Sequence, residues 1–335
     1  MEINSLPQAC YLHDLPSVLV SGISADSIFC KIALGTNSIE ETYYPHSDGK
    51  VTVRQLDTFA EDFTELDFAN VFDSVSYDYI YRLKVEATST ADGTKSVETD
   101  VHPCRLKVGK SPDGKFLTRN CSRAVAPGEP VFFAFYGGST QLIISEYQGD
   151  KLLKSTTVNN SSPATRLVQY GYSRRNFSDA ATHIVARLYR GGQLTDSIIV
   201  AFRDSLFGRS FVFDNVFYAP DVFVFRGSEK EQLSYEADLG SMGGKVARLS
   251  DKSYPTYVVT SGPLTPAELD SALDLASADH PYLYVDGKLQ PIVILSFEEN
   301  SKRPANTPPT VTMTYRLADR PLLAVTRVSE PNGFE

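Results

Sequence analysis

Tryptophan is absent from this 335-residue chain, and methionine nearly so, at three residues. The soft side chains that fill helical cores are therefore scarce, whereas 19 Phe and 18 Tyr supply the aromatics that strands favour. Positive charge is also in deficit. Thirty-two Lys and Arg face 41 Asp and Glu, for a net charge of −9, the reverse of a phosphate-neutralising surface, so no nucleic-acid partner is expected. No stretch approaches the roughly 18 consecutive apolar residues of a membrane helix, and even Phe211 to Phe225 is broken by Asp214, Asn215, Pro220 and Asp221. Membrane insertion is not expected. The opening Met1-Glu2-Ile3-Asn4 has neither a basic nor an apolar signal region, which makes the cytoplasm the expected site of synthesis and folding. The four cysteines, Cys10, Cys30, Cys104 and Cys121, are widely spaced without a CxxC pair and read as separate thiols in a reducing compartment.

Catalytic spacings are missing as well. His13, His46, His102, His183 and His280 are the only histidines, none lies in an HExxH pattern, and His102-Pro103-Cys104 stands without further converging donors. Gly137-Gly138-Ser139 lacks the following glycine of a GxSxG elbow and reads as a strand connection. In Asp238-Leu239-Gly240-Ser241-Met242-Gly243-Gly244-Lys245, a phosphate loop would need glycine in place of Leu239 and a hydroxyl in place of Val246; this stretch reads as a flexible loop. Glu40-Glu41, Glu61 with Glu65, and Glu298-Glu299 read as charged faces, since acid-base work needs two carboxyls in different environments across a cleft. Arg174-Arg175, beside Asn176, reads as a surface contact, with a carboxylate or phosphate clamp as the alternative. No catalytic residue, metal ligand or cofactor is expected.

What the chain does have is strand patterning. With 42% hydrophobic and 22% charged residues it can bury a core, and its length suggests two or three domains. The fold expected is mainly β: tandem Ig-like β-sandwich domains followed by a mixed, mostly β C-terminal domain with one helix. In residues 1–107, runs at 27–34, 38–44, 50–53 and 77–87 alternate apolar and polar positions, and Asp92-Gly93 turns the chain into 95–101. The clearest run is Tyr77, Tyr79, Tyr81, Leu83, Val85 and Ala87 on one face. Leu56, Phe59, Phe63 and Leu66 predict a crossing helix near 57–66, capped by Asp57. The polar Lys107 to Gly114 marks a boundary, and 108–205 is expected to form a second sandwich from runs at 130–136, 141–147, 151–158, 164–172, 182–189 and 194–202. The order of strands and turns resembles that of the first unit, a weak structural repeat.

Residues 206–335 form the third expected unit. Thr265-Pro266-Ala267-Glu268 combines a capping hydroxyl, a proline at the first helical position and a carboxylate three residues on. Together with the stripe Leu269, Ala272, Leu273 and Ala276, it predicts a helix near 266–277. Strands are expected at 254–260, 282–285, 291–297 and 310–317. The aromatics Tyr43, Tyr44, Tyr77, Tyr79, Tyr81, Phe211, Phe213 and Phe217 are candidates for subunit interfaces or ligand-stacking platforms, with plain core as the alternative.

Phe213-Asp214-Asn215-Val216-Phe217 with Ala219-Pro220-Asp221, the segment Thr260 to Glu268, Tyr282-Leu283-Tyr284, Pro291-Ile292-Val293-Ile294 and Thr314-Tyr315-Arg316-Leu317-Ala318-Asp319 resemble a module of tail and baseplate structural proteins of phages and prophages of gut bacteria. The resemblance spans about residues 206–325. It implies a component of a virion or tail-like particle, assembled in the host cytoplasm, that needs no cofactor and partners copies of itself and other tail or baseplate proteins, with a host-surface glycan as a further possible ligand. The alternative is a sandwich adhesin or carbohydrate-binding module with tyrosines stacking on sugar rings.

Overall fold

A computed structural model describes residues 1–62, 75–78, 81–102, 114–120, 122–138, 140–160, 166–203, 208–242, 245–300, 307–318 and 323–325. The first unit contains β1 (Glu2–Ile3), β2 (Ala9–Tyr11), β3 (Val18–Ser21), β4 (Ile28–Leu34), β5 (Asn37–Tyr43), β6 (Val51–Val53), helix α1 (Leu56–Asp62), β7 (Val75–Asp78), β8 (Tyr81–Ser89) and β9 (Gly93–His102). Two sheets, β1-β3-β6 and β2-β9-β8-β4-β5, face each other. Period-two alternation explains the packing: Leu83, Val85 and Ala87 of β8 point inward against Cys30, Ile32 and Leu34 of β4, while Lys84 and Glu86 point out. Leu56, Phe59 and Ala60 of α1 join the same core, as the helical spacing predicts, whereas Phe63 and Leu66 lie outside the described residues.

The second unit contains β10 (Ser122–Val125), β11 (Pro130–Tyr136), β12 (Thr140–Gln148), β13 (Lys151–Asn160), β14 (Arg166–Ser173), a 3-10 turn (Arg174–Asn176), β15 (His183–Arg190) and β16 (Gln193–Phe202). Its larger sheet runs β10-β16-β15-β12-β13. This order repeats the first unit strand for strand: in each, a short leading strand lies parallel to the last strand (β2 on β9, β10 on β16), and every other pairing is antiparallel. Both units are Ig-like sandwiches. They lack the tryptophan of antibody domains, and no disulfide joins the sheets among the described residues, where Cys30 on β4 is a free thiol.

One strand departs from the expected order. The run at 77–87 divides its pairing: β8, from Tyr81, pairs within the first unit, whereas β7 pairs with β14, with Val75 opposite Gln169 and Asp78 opposite Arg166; Tyr79 and Ile80 lie outside the described residues. The smaller sheet of the second sandwich is therefore β11-β14-β7.

The third unit contains β17 (Arg209–Asp214), β18 (Pro220–Phe225), β19 (Glu229–Met242), β20 (Lys245–Thr260), helix α2 (Pro266–Ala276), β21 (Tyr282–Val285), β22 (Lys288–Glu299), β23 (Val311–Leu317) and β24 (Leu323–Val325). One sheet runs β18-β17-β21-β22-β23-β20-β19, with β24 also on β20. Thr265 caps α2 as its sequence predicts: Thr265 Oγ1 accepts from the Glu268 backbone N–H, and Glu268 Oε2 accepts from the Thr265 N–H at 2.8 Å. The expected flexible loop at Asp238 to Lys245 is instead the far end of a ribbon. Asp238 to Met242 belong to β19 and Lys245 to β20, with a bulge at Asp238/Leu239; Gly243 and Gly244 lie outside the described residues. Backbone ladders pair the strands of such a ribbon whatever side chains they carry, so its sequence needs little apolar periodicity.

Candidate binding cleft between the second and third units

The second and third units share a buried seam, built by strands that bury both faces. Along β11, Val131, Phe133 and Phe135 point into the second sandwich, while Phe132, Ala134 and Tyr136 point outward onto the third unit. The third-unit sheet answers with the same alternation. Val212, Val222, Val224, Tyr282 and Tyr284 meet β11, and Phe211, Phe213, Phe223, Phe225 and Leu283 turn the other way, beneath Ala272 and Leu275 of α2. Burying a Phe or Val side chain contributes roughly 1.5–3 kcal/mol, so this interdigitation joins the two units into one body.

Polar pairs fix the register of the seam. Arg226, just past β18, forks onto Glu129 through Nη1–Oε1 at 3.0 Å and Nη2–Oε2 at 2.7 Å, and Nη2 also donates to the Ala124 carbonyl at 2.6 Å. A Cβ on Gly208 would stand 2.8 Å from Glu129 Oε1 and 2.7 Å from Val224 Cγ1, so only glycine lets the backbone lie against this fork. Further along, Arg123 Nη2 meets Asp221 Oδ1 at 2.8 Å, with side chains 5% and 2% exposed. Thr118 Oγ1 donates to Asp221 Oδ2 at 2.7 Å, and Asn215 Nδ2 donates to the same oxygen at 3.2 Å and to the Leu117 carbonyl at 2.7 Å. These contacts supply the donors that a buried carboxylate requires.

Asp274 of α2 is the third anchor. It lies 3.3 Å from Arg119 Nη1 and accepts from the Val216 backbone N–H. Burial pushes its carboxyl up to about 7; Arg119 pulls the other way, and Asp221 and Asp270 add to the rise. Nearby, Asp214 Oδ1 accepts from the His280 backbone N–H at 3.1 Å.

Two hollows flank the Arg226–Glu129 fork. The smaller, about 160 Å³, is lined by Asn120, Arg123, Arg226, Ser261, Pro263 and Glu268 among others. The larger is an open cleft of about 410 Å³, within the size range of ligand sites and at the inter-unit position where such sites recur. Its wall from the second unit carries Glu129, Ser173 and Arg175; its wall from the third carries Arg209, Ser210, Tyr284, Asp286 and Gly287. Arg209 uses Nε on Glu229 Oε2 at 2.7 Å. Burial raises the Tyr284 phenol, the Arg175 guanidinium across the cleft opposes that rise, and Asp286 of the same hairpin adds to it. Ser173 Oγ donates to Asn176 Oδ1, an amide oxygen that takes no proton, so this hydroxyl is held without a base. The arrangement provides charge and hydrogen bonds for binding.

The aromatic candidates are dispersed over the molecule. Tyr43 packs on the first core with its hydroxyl donated to Glu41, while Tyr44 is 76% exposed. Tyr81 packs on the same core; Tyr77 lies in β7, where only its backbone is described, and Tyr79 lies outside the described residues. Phe211 and Phe213 are fully buried, with Phe211 edge-on to Phe225 and Tyr315 at 5.4 and 5.1 Å; they are core and offer no surface to a partner. Phe217 is half-buried in the seam. The arginine pair is split. Arg174 donates to the carbonyls of Phe177, Ser178, Asp179 and Ala181 and lies 4.2 Å over the Phe202 ring, a structural loop tie, and Arg175 alone faces the cleft. Arg123, Glu129, Arg209 and Arg226 carried no sequence signal. The seam itself had one, the unbroken apolar run Val131 to Tyr136, which marks a strand buried on both faces.

Cys30 is a buried free thiol, raised to about 11 by burial and then by Glu41, and Cys10 is raised by burial; neither forms the reactive thiolate at neutral pH. Cys104 and Cys121 lie outside the described residues.

No family model matches this chain, and no curated protein matches it. Among solved structures, similar chains include a titin fragment (13% identity, 57% of this chain and 90% of that one, TM-score 0.24). A bacterial ice-binding adhesin of 1.5 MDa is 10% identical, over 73% of this chain and 84% of that one, at TM-score 0.17. The N-terminal four Ig domains of Dscam1 are 10% identical, over 77% and 68%, at TM-score 0.20.

Proposed function

We propose that this chain is a non-catalytic structural assembly protein that forms multi-subunit contacts with copies of itself, in the manner of the tail and baseplate proteins its C-terminal third resembles. The observation that carries this reading is the β19–β20 ribbon. β19 is a terminal strand of its sheet, and its outer edge has no strand partner among the described residues over all fourteen of its positions, about 48 Å of backbone. Soluble proteins usually shorten, bend or guard such an edge, because its unpaired N–H and C=O groups template another strand; here a bulge bends it at Asp238/Leu239 and charges stand at Glu229, Lys230 and Glu231, while Glu229 to Asp238 pair in unbroken register. Here it begins on a rigid two-unit body and carries Leu233 with 52% of its surface exposed. A second copy brings the same edge, so an isologous or ring-forming strand pairing satisfies both.

The test is sedimentation of the purified chain at micromolar concentration, beside Leu233→Lys, which places a charge on this edge and disturbs no core. Discrete oligomers for the natural chain and a shift toward monomer for the variant are expected. A chain that stays monomeric, or oligomers that ignore Leu233→Lys, would count against this reading.

A further inference from the structure

The open cleft between the second and third units holds recognition chemistry that assembly through β19 leaves unused. Arg175 makes no hydrogen bond or ion pair with another described residue, and Arg209 leaves its Nη groups without a hydrogen bond to one. Asp286 stands at the tip of the β21–β22 turn in a left-handed conformation (φ 50°), exposed and without a cation among the described residues. Glu129 cannot take a ligand, since its oxygens are held by Arg226 and the Ala126 N–H. The cleft thus offers two guanidinium groups and one free carboxylate around the half-buried ring of Tyr284.

We propose that this cleft binds an internal residue of an acidic polysaccharide, with the carboxylate of a uronic acid on Arg175 and Arg209, sugar hydroxyls on Asp286 and the sugar's C–H face against Tyr284. Each feature narrows the choice. Guanidinium forks match the two oxygens of a carboxylate. A phosphate group brings a second negative charge and no donors, and Asp286 repels it. Vicinal hydroxyls donate to a carboxylate acceptor, which a simple carboxylic acid does not do. The cleft is open to solvent at the molecular surface, which suits a residue whose chain continues in both directions better than an enclosed small metabolite.

Isothermal titration of the full chain tests this with three probes: an oligogalacturonate, a neutral oligosaccharide of the same length, and a polyglutamate peptide. Binding of the oligogalacturonate alone is expected. Its affinity should fall about tenfold or more in Arg175→Ala, the loss expected for one charged hydrogen-bonded pair. It should fall several-fold in Asp286→Asn, which keeps a residue type that tolerates the left-handed turn. Thermal melts of both variants should match the natural chain, since neither residue packs in a core. No binding at millimolar oligogalacturonate, equal binding of the neutral sugar, tighter binding of polyglutamate, or an affinity untouched by Arg175→Ala would each overturn the proposal.

Discussion

Gly227 shows how narrowly single positions are set. A Cβ there would collide with Thr260 Oγ1 and stand 2.6 Å from the Thr260 carbonyl oxygen, to which the Gly227 N–H already bonds the Thr260 strand end at 2.8 Å. The neighbour is backbone and cannot swing aside. Gly227→Ala should therefore destabilise the third unit by about 1–3 kcal/mol, the usual range for overpacking, read as a lower urea midpoint at unchanged slope. Asp274 makes a residue-scale prediction of a different kind. Its folded carboxyl titrates near 7, above the ~3.9 of an unfolded aspartate, so the native state holds the proton more tightly. The stabilisation is complete below about pH 4 and is lost as the pH rises towards 7. Asp274→Asn, which stays neutral, should flatten this slope: thermal melts of natural chain and variant should differ least below about pH 4 and most above pH 7, with the variant the more stable there.

The elements differ in how plainly their residues announced them. Helix α2 was legible because its signals are local: Thr265, Pro266 and Glu268 each satisfy or forgo a backbone donor within one turn. The strands β8, β12 and β15 were legible for a related reason, since each has one face on a core and one towards solvent, and alternation records that. β7 was not, because the choice between continuing into β8 and crossing to β14 is made by the partner strand and leaves no mark in the alternation of Tyr77, Tyr79 and Tyr81. Only the far end of the ribbon, Asp238 to Lys245, reads as a loop, since its glycines and Asp238 are poor strand formers, yet the paired backbone carries Asp238 to Met242. The cleft had a single partial sign, Arg175. Its other walls come from three separate segments, 126–129, 208–210 and 284–287, and no spacing rule joins Arg175 to Asp286.

At the scale of the whole molecule, the first two units repeat one topology, and the second is fused to the third by an interlocked apolar seam, the one such seam among the described residues. The Arg226–Glu129 fork sits in that seam with the two side chains 21% and 9% exposed. Glu129→Ala would leave Arg226 without its carboxylate and the Ala126 N–H without its acceptor, at a cost of about 3 kcal/mol. Both flanking cores stay intact, so differential scanning calorimetry should show the joint transition of the second and third units moving down and separating into two, with the first unit's transition unchanged. A uniform shift of all transitions would instead mean that the fork supports the molecule globally.

The strand that the first unit gives up to the second has a mechanical consequence. Because β7 lies antiparallel along β14, a pull that draws the first sandwich away from the rest must strip the pairing of Val75–Asp78 with Arg166–Gln169 from a sheet edge. The joint between them behaves as a stitched hem rather than a swivel, and it transmits load from the leading sandwich into the fused pair behind it.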